Sequence, residues 1–477
     1  MSIVHIPSQK SQRIQLGVEL AMMCVLLVAS LSAFGTSGIG VACAFAVAYG
    51  VPRWLYARLS GGEEKGALVL AAAGLALVVW AFCNIYGWTE AVGHALSNPE
   101  ISSDDNSYFR WALHYYDGSV EEIDTKFIGF PLMILLSWQI FGVSIVWPIA
   151  INVMLTLLTV VLTGQMAGRA LEGRVKADRP YITFLAMLGT VLLCYWMSHG
   201  AMLLKEPLTY FAVALAAYAI ARMKAVRAES GGRMWTDIAL FVIAIAILSI
   251  SRTGVIYFVM AGVVLALIDN RRMWRYGTTL MGISLVGIGM GIYWSNGFSA
   301  EVQMRIVAGA NAGGDIMHHV YKAHGAYGEA MSHYFALPAW QKLLLLPVTC
   351  IVQLFIPFPW PSVEGLSIGS LATRFQWGWY AIAGVALFYI FRLSWKKQSL
   401  GWWALWPFVC FAAAAFSTGG AVSRYILPYQ PLFVVVAVWV VCKYREGQWR
   451  RSFRIWLATY ALVVAAILLY CYFQTQS

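Results

Sequence analysis

Apolar stretches of nearly twenty residues recur along this chain from residue 17 to residue 473, and no other feature constrains its fold as strongly. They fall near residues 17–34, 37–51, 66–86, 129–147, 148–168, 181–203, 207–222, 235–251, 254–268, 277–294, 341–358, 378–393, 402–418, 426–442 and 455–473. A helix needs about 20 such residues to cross a bilayer, where the backbone must satisfy its own polar groups. Charged residues make up 12% of the chain, against about 25% in soluble proteins. A soluble globule and a disordered chain are therefore excluded. So is a membrane β-barrel, whose strands alternate in polarity and run about ten residues. The expected fold is an all-α polytopic membrane protein, with residues 1–477 forming a single transmembrane domain. The first stretch follows a polar, basic leader and is long enough to remain as an uncleaved anchor.

The net charge of +11 is placed by topology. Seven basic clusters sit in alternate connections: Lys10/Arg13; Arg53/Arg58/Lys65; Arg169/Arg174/Lys176/Arg179; Arg222/Lys224/Arg227/Arg233; Arg271/Arg272/Arg275; Arg392/Lys396/Lys397; and Lys443/Arg445/Arg450/Arg451/Arg454. They hold 24 of the 33 Lys and Arg residues, and the positive-inside rule puts them all in the cytoplasm. The charge excess is thus no nucleic-acid footprint. Parity then requires one crossing from 129–168 and none from 341–358, so one segment of the first pair and the whole of the second are expected to be re-entrant or interfacial. About 13 transmembrane helices result, with the N-terminus inside. Residues 87–128 become the first outer loop, with a surface helix, and 295–340 the second.

The 8 cysteines all lie in or beside apolar segments without a CxxC pair, and read as small core hydrophobes. His318, His319, His324 and His333 lack zinc-helix spacing and read as a solvated loop. Neither a Walker A nor a GxGxxG motif is present, and the Gly-rich 309–314 reads as a lid or linker.

Chemistry-bearing residues gather on the outer side of this topology. The first outer loop carries eight carboxylates, and in it Asp104-Asp105-Asn106-Ser107-Tyr108 opens an amphipathic stretch suited to a surface helix. Either aspartate can cap that helix, act as a general base or hold a divalent cation. Lys205-Glu206-Pro207 interrupts one apolar run, with Glu206 and Pro207 marking a helix start. Arg252 separates two apolar segments, and Arg424-Tyr425 precedes another. Cations at such places either snorkel to headgroups or serve a site, and an Arg fork suits phosphate oxygens. Trp360, in Phe355–Pro361, reads as an aromatic-belt turn or as the wall of a groove for an isoprenoid or a sugar.

Four of these motifs, in this order, resemble the GT-C-fold glycosyltransferases, a superfamily that includes protein O-mannosyltransferases and lipid A aminoarabinose transferases. They are Asp104-Asp105-x-x-Tyr108; Gly129-Phe130-Pro131-Leu132 followed by Phe141-Gly142; Lys205-Glu206; and Arg424-Tyr425-x-x-Pro428. The resemblance implies a multi-pass enzyme of the bacterial cytoplasmic membrane with its site facing the periplasm. It would move a sugar from a polyprenyl-phosphate or -pyrophosphate donor to a glycan, lipid or protein acceptor, with inversion. Asp104 would be the base, and Asp105 would position the acceptor or a divalent cation. Lys205, Arg252 and Arg424 would neutralise the leaving phosphate, while Tyr108, Trp360 and Tyr425 would line the acceptor or lipid groove. Two departures stand out. Asp-Asp replaces the family's more usual Asp-Glu, and no soluble C-terminal domain like that of oligosaccharyltransferases is read, so protein N-glycosylation is not expected. Two alternatives remain. The SISRTG segment at Arg252 also looks like the Ser-Arg-Gly of O-antigen polymerases and ligases. A lipid-linked sugar transporter or flippase is the third, against which stand the absence of a hydropathy repeat and charges lying away from the midplane.

Overall fold

The computed structural model describes residues 9–60, 63–95, 104–118, 129–225, 231–269, 273–294, 333–334, 337–355, 376–391, 400–419 and 423–476. Among them the chain is helical, with no strand. The helices are α1 (Gln9–Phe34), α2 (Gly38–Ser60), α3 (Glu64–Ala95), α4 (Asp104–Asp117), α5 (Gly129–Phe141), α6 (Val146–Leu171), α7 (Arg179–Val191), α8 (Cys194–His199), α9 (Glu206–Ala225), α10 (Gly231–Ser251), α11 (Gly254–Asp269) and α12 (Trp274–Trp294). After residue 333 come α13 (Ala339–Phe355), α14 (Trp377–Phe391), α15 (Trp406–Thr418), α16 (Gln430–Arg445) and α17 (Arg450–Gln476). Short 3-10 turns precede α15 and α16.

Five stretches are long and apolar enough to cross a membrane: Gly38–Ser60, Glu64–Ile85, Val146–Leu171, Leu427–Arg445 and Arg450–Leu469. Further apolar helices run 10–17 residues. The chain is thus an all-α protein built to lie in a membrane. Of the two apolar segments expected between 129 and 168, the second is the long one: α6 has 26 residues and α5 only 13, about 20 Å at 1.5 Å per residue.

Helix α6 packs against α2, α3, α7, α9 and α16; α16 packs in turn against α7 and α14, and α10 lies against α9. Val434, Val435 and Val436 of α16 are buried in succession, whereas α17 leaves Leu462, Val463 and Leu469 exposed. A helix apolar all round belongs inside such a bundle, and one with an exposed apolar face is suited to lipid. Close approach of α6 to α7 depends on Gly164 and Gly168, spaced as a small-xxx-small pair. A Cβ at Gly164 would stand 2.6 Å from Met187 Cγ, and one at Gly168 would stand 2.8 Å from Thr183 Oγ1. Along α6, Thr156, Thr159 and Thr163 each return their hydroxyl to the carbonyl four residues back, at 2.8 Å, so these three hydroxyls are satisfied within the helix.

Two expectations are corrected. The apolar run 181–203 is not one helix: α7 ends at Val191, α8 occupies six residues, and the chain then runs irregularly to Lys205. Only Cys410 and Cys442 among the described cysteines are fully buried; Cys24, Cys43 and Cys83 are exposed on the peripheral helices α1 to α3. A thiol behaves there as a small apolar group on a lipid-compatible face.

Candidate functional site

The break after α7 builds the site. Irregular backbone inside an apolar bundle needs partners for its carbonyls, and two asparagine side chains supply them. Asn84 of α3 donates to the Ala201 carbonyl at 2.8 Å. Asn152 of α6, fully buried, donates from one amide nitrogen to Met202 at 2.7 Å and Leu204 at 2.9 Å. The chain is thereby held so that Lys205 and Glu206 enter α9 from inside the bundle, 6% and 1% exposed. Asn152→Leu should therefore lower stability by ~1–3 kcal/mol, the cost of leaving buried carbonyls unpaired. A denaturant titration in detergent with an unchanged midpoint would mean that these carbonyls have other partners.

Lys205 and Glu206 each meet a motif from a distant part of the sequence. The Lys205 ammonium lies 5.5 Å from the centroid of the Tyr108 ring, within cation–π range. Tyr108 is buried in α4, edge-on to Phe130 of α5 with centroids 5.2 Å apart. Glu206 faces Arg252, with Oε1 and Nη1 4.0 Å apart. The Arg252 guanidinium also lies over the Tyr425 ring, 4.4 Å from its centroid. Among the described residues both Glu206 oxygens and Arg252 Nη1 are buried without a hydrogen-bond partner. This pair is held close by charge and packing, with hydrogen-bonding capacity to spare.

Helix α4 confirms the amphipathic reading of its sequence. Tyr108 and Ala112 are buried one turn apart, Phe109 packs edge-on to Trp138 of α5 at 5.3 Å, and His114, Tyr116 and Asp117 are exposed. Asp104 and Asp105 are its first two residues, where carboxylates favour the positive end of the helix dipole. Their side chains lie outside the described residues, as do Trp360 and nearly all of 295–340. Gly129 sets α5 against the end of α10: a Cβ there would stand 2.7 Å from the Ile250 carbonyl oxygen, two residues before Arg252.

Arg424 is exposed in the turn before Tyr425, and its charge reaches His199, as does that of Glu206. His199 is itself buried, with Nδ1 2.8 Å from the Tyr195 carbonyl. Beside it lies a buried contact of 2.6 Å between the Thr156 and Tyr210 hydroxyls, and the Tyr210 ring also feels Glu206. His199, Asn152 and Asn84 escaped the sequence reading. The two asparagines carried a readable signal, as lone amides within apolar segments.

The structure thus brings Tyr108, Lys205, Glu206, Arg252 and Tyr425 to one end of the bundle, with Arg424 at its rim. The opposite end collects Arg169, Arg179, Arg222 and Lys443, which lie at the other ends of α6, α7, α9 and α16. Among the described residues no three His, Cys, Asp or Glu side chains converge as a metal site. No family model, curated protein or solved structure matches this chain.

Proposed function

We propose that this protein is an inverting glycosyltransferase of the GT-C type, taking its sugar from a polyprenyl-phosphate or -pyrophosphate donor. In this reading the chain crosses the bacterial cytoplasmic membrane about 13 times, with the basic clusters inside and the Lys205 end of the bundle facing outward. The observation that carries the reading is the meeting of three of these motifs with Arg252 at one bundle end, through Lys205 over Tyr108 and Arg252 between Glu206 and Tyr425.

The proposed chemistry needs few groups. Asp104 takes the proton of the acceptor hydroxyl as its oxygen attacks the anomeric carbon. The bond from that carbon to the phosphate oxygen breaks, and the electron pair leaves with the polyprenyl phosphate. Lys205, Arg252 and Arg424 neutralise the charge that develops there, which matters most where water is excluded. Glu206 keeps the Arg252 fork aimed, and Arg252 Nη1 has no hydrogen-bond partner among the described residues. Asp105 orients the acceptor, which is a glycan, a lipid or a protein. Asp104 and Asp105 are also the residues that would hold a divalent cation.

Deleting the protein should leave one polyprenyl-phosphate-linked monosaccharide in excess and remove one sugar from the cell-envelope glycans. Mass spectrometry of the lipid-linked pool checks this. Complete glycan repeats stranded on polyprenyl pyrophosphate would point instead to a polymerase. An unchanged pool would contradict the proposal.

A further inference from the structure

At the end of the bundle away from Lys205, three helices place guanidinium groups around one tyrosine. Arg169 in the last turn of α6 and Arg222 in the last turn of α9 each lie 5.6 Å from the centroid of the Tyr218 ring. Arg179, at the start of α7, crosses the face of Gly168, donates to Gln165 Oε1 at 3.1 Å and is close enough to Arg169 to repel it. Among the described residues two carboxylates answer the three charges. Buried Asp237 is paired with Arg222 at 2.6 Å, and exposed Glu172 lies within electrostatic reach of Arg179.

This arrangement is costly as it stands. Tyr218 is 2% exposed, and its hydroxyl has no hydrogen-bond partner among the described residues. The Arg169 Nε–H is likewise buried and unpaired. Buried donors without acceptors each cost about 1–3 kcal/mol, and neighbouring guanidiniums repel in a low dielectric. One group repairs all of it: an anion with several acceptor oxygens, entering between the partly buried arginines and reaching down to Tyr218. A tetrahedral phosphate does so, and guanidinium forks suit its oxygens. The level also matters. Arg169 closes a helix long enough to span a membrane, so the cluster stands where lipid headgroups lie. Basic pockets between membrane helices bind anionic headgroups in this way.

We infer that Arg169, Arg179, Arg222 and Tyr218 form a binding site for the phosphate of an anionic phospholipid. The site is independent of the glycosyltransferase reading, since none of its residues belongs to the Lys205 end. The lipid would brace α6, α7 and α9 against one another at the end remote from Lys205.

Native mass spectrometry of the detergent-purified protein tests this, with phosphatidylglycerol as the anionic probe and phosphatidylcholine, whose choline the arginines repel, as the control. The wild-type chain should hold one phosphatidylglycerol about tenfold more tightly than phosphatidylcholine. Arg169→Gln, Arg179→Gln and Tyr218→Phe should each erase most of that preference. Tyr218→Phe keeps the ring and the fold, so its loss would speak for the hydroxyl alone. Equal retention of the two lipids by the wild type, or full preference in all three variants, would overturn the inference. Displacement of phosphatidylglycerol by millimolar inorganic phosphate would also overturn it, by making a free anion the occupant.

Discussion

Asp104→Asn is expected to lower the rate of sugar transfer by about two to four orders of magnitude, the usual weight of a general base. Asparagine keeps the size of the side chain and serves a helix start about as well as aspartate, so α4 should survive the change. It cannot take the acceptor proton. Lipid binding should be retained, because the phosphate contacts are assigned to Lys205, Arg252 and Arg424 rather than to the aspartates. Asp105→Asn should cost less, unless Asp105 holds a required cation, in which case chelation of the wild-type protein would mimic that variant. A rate measurement on detergent-purified protein distinguishes the cases. Silence at both positions would leave the aspartates as helix-terminus residues and would favour the polymerase reading, which rests on the arginines.

Arg252→Lys should cost about 100-fold or more in turnover, of the order found for removing one donor to a developing negative charge. Lysine preserves the charge but neither the planar stacking on Tyr425 nor the two-pronged reach between Glu206 and a phosphate. Arg424→Lys should fall in the same direction. The comparison is informative because an arginine that only anchors its helix to headgroups would be replaced by lysine at little cost. Near-native turnover in both variants would therefore reduce these residues to membrane anchors. Glu206→Gln serves as the positioning control: turnover should fall, while substrate dependence shifts less.

How far the sequence could be read depends on what physics each feature obeys. The helices were legible because a bilayer leaves the backbone no partner but itself, and apolar length then marks each segment. Lys205, Arg252 and Arg424 were legible as charges interrupting apolar runs. The break from Leu192 to Lys205 was not, since it is supported from afar: Asn84 and Asn152 stand 117 and 50 residues from the carbonyls of Ala201 and Met202. No local propensity records a partner at that distance. The same holds for the contacts that Tyr108, buried in α4, makes with Lys205 and Phe130. The pairing of Arg252 with Glu206 also needed three dimensions, because the sequence explained Glu206 sufficiently as a helix start. At the other end, Arg169, Arg179 and Arg222 were absorbed into topology clusters. The orphaned Tyr218 hydroxyl and the unpaired Arg169 Nε set them apart.

The central claim is that the Lys205 end of the bundle transfers a sugar from a lipid phosphate. It is tested most directly by reconstituting the purified protein in vesicles that carry radiolabelled polyprenyl-phosphate sugars, with a total envelope-glycan extract as acceptor. The account predicts that the wild-type protein moves label from the lipid to the acceptor and releases sugar-free polyprenyl phosphate, and that Asp104→Asn binds the same lipid and releases almost none. Label that crosses the bilayer still attached to its lipid, with no polyprenyl phosphate released, would contradict it.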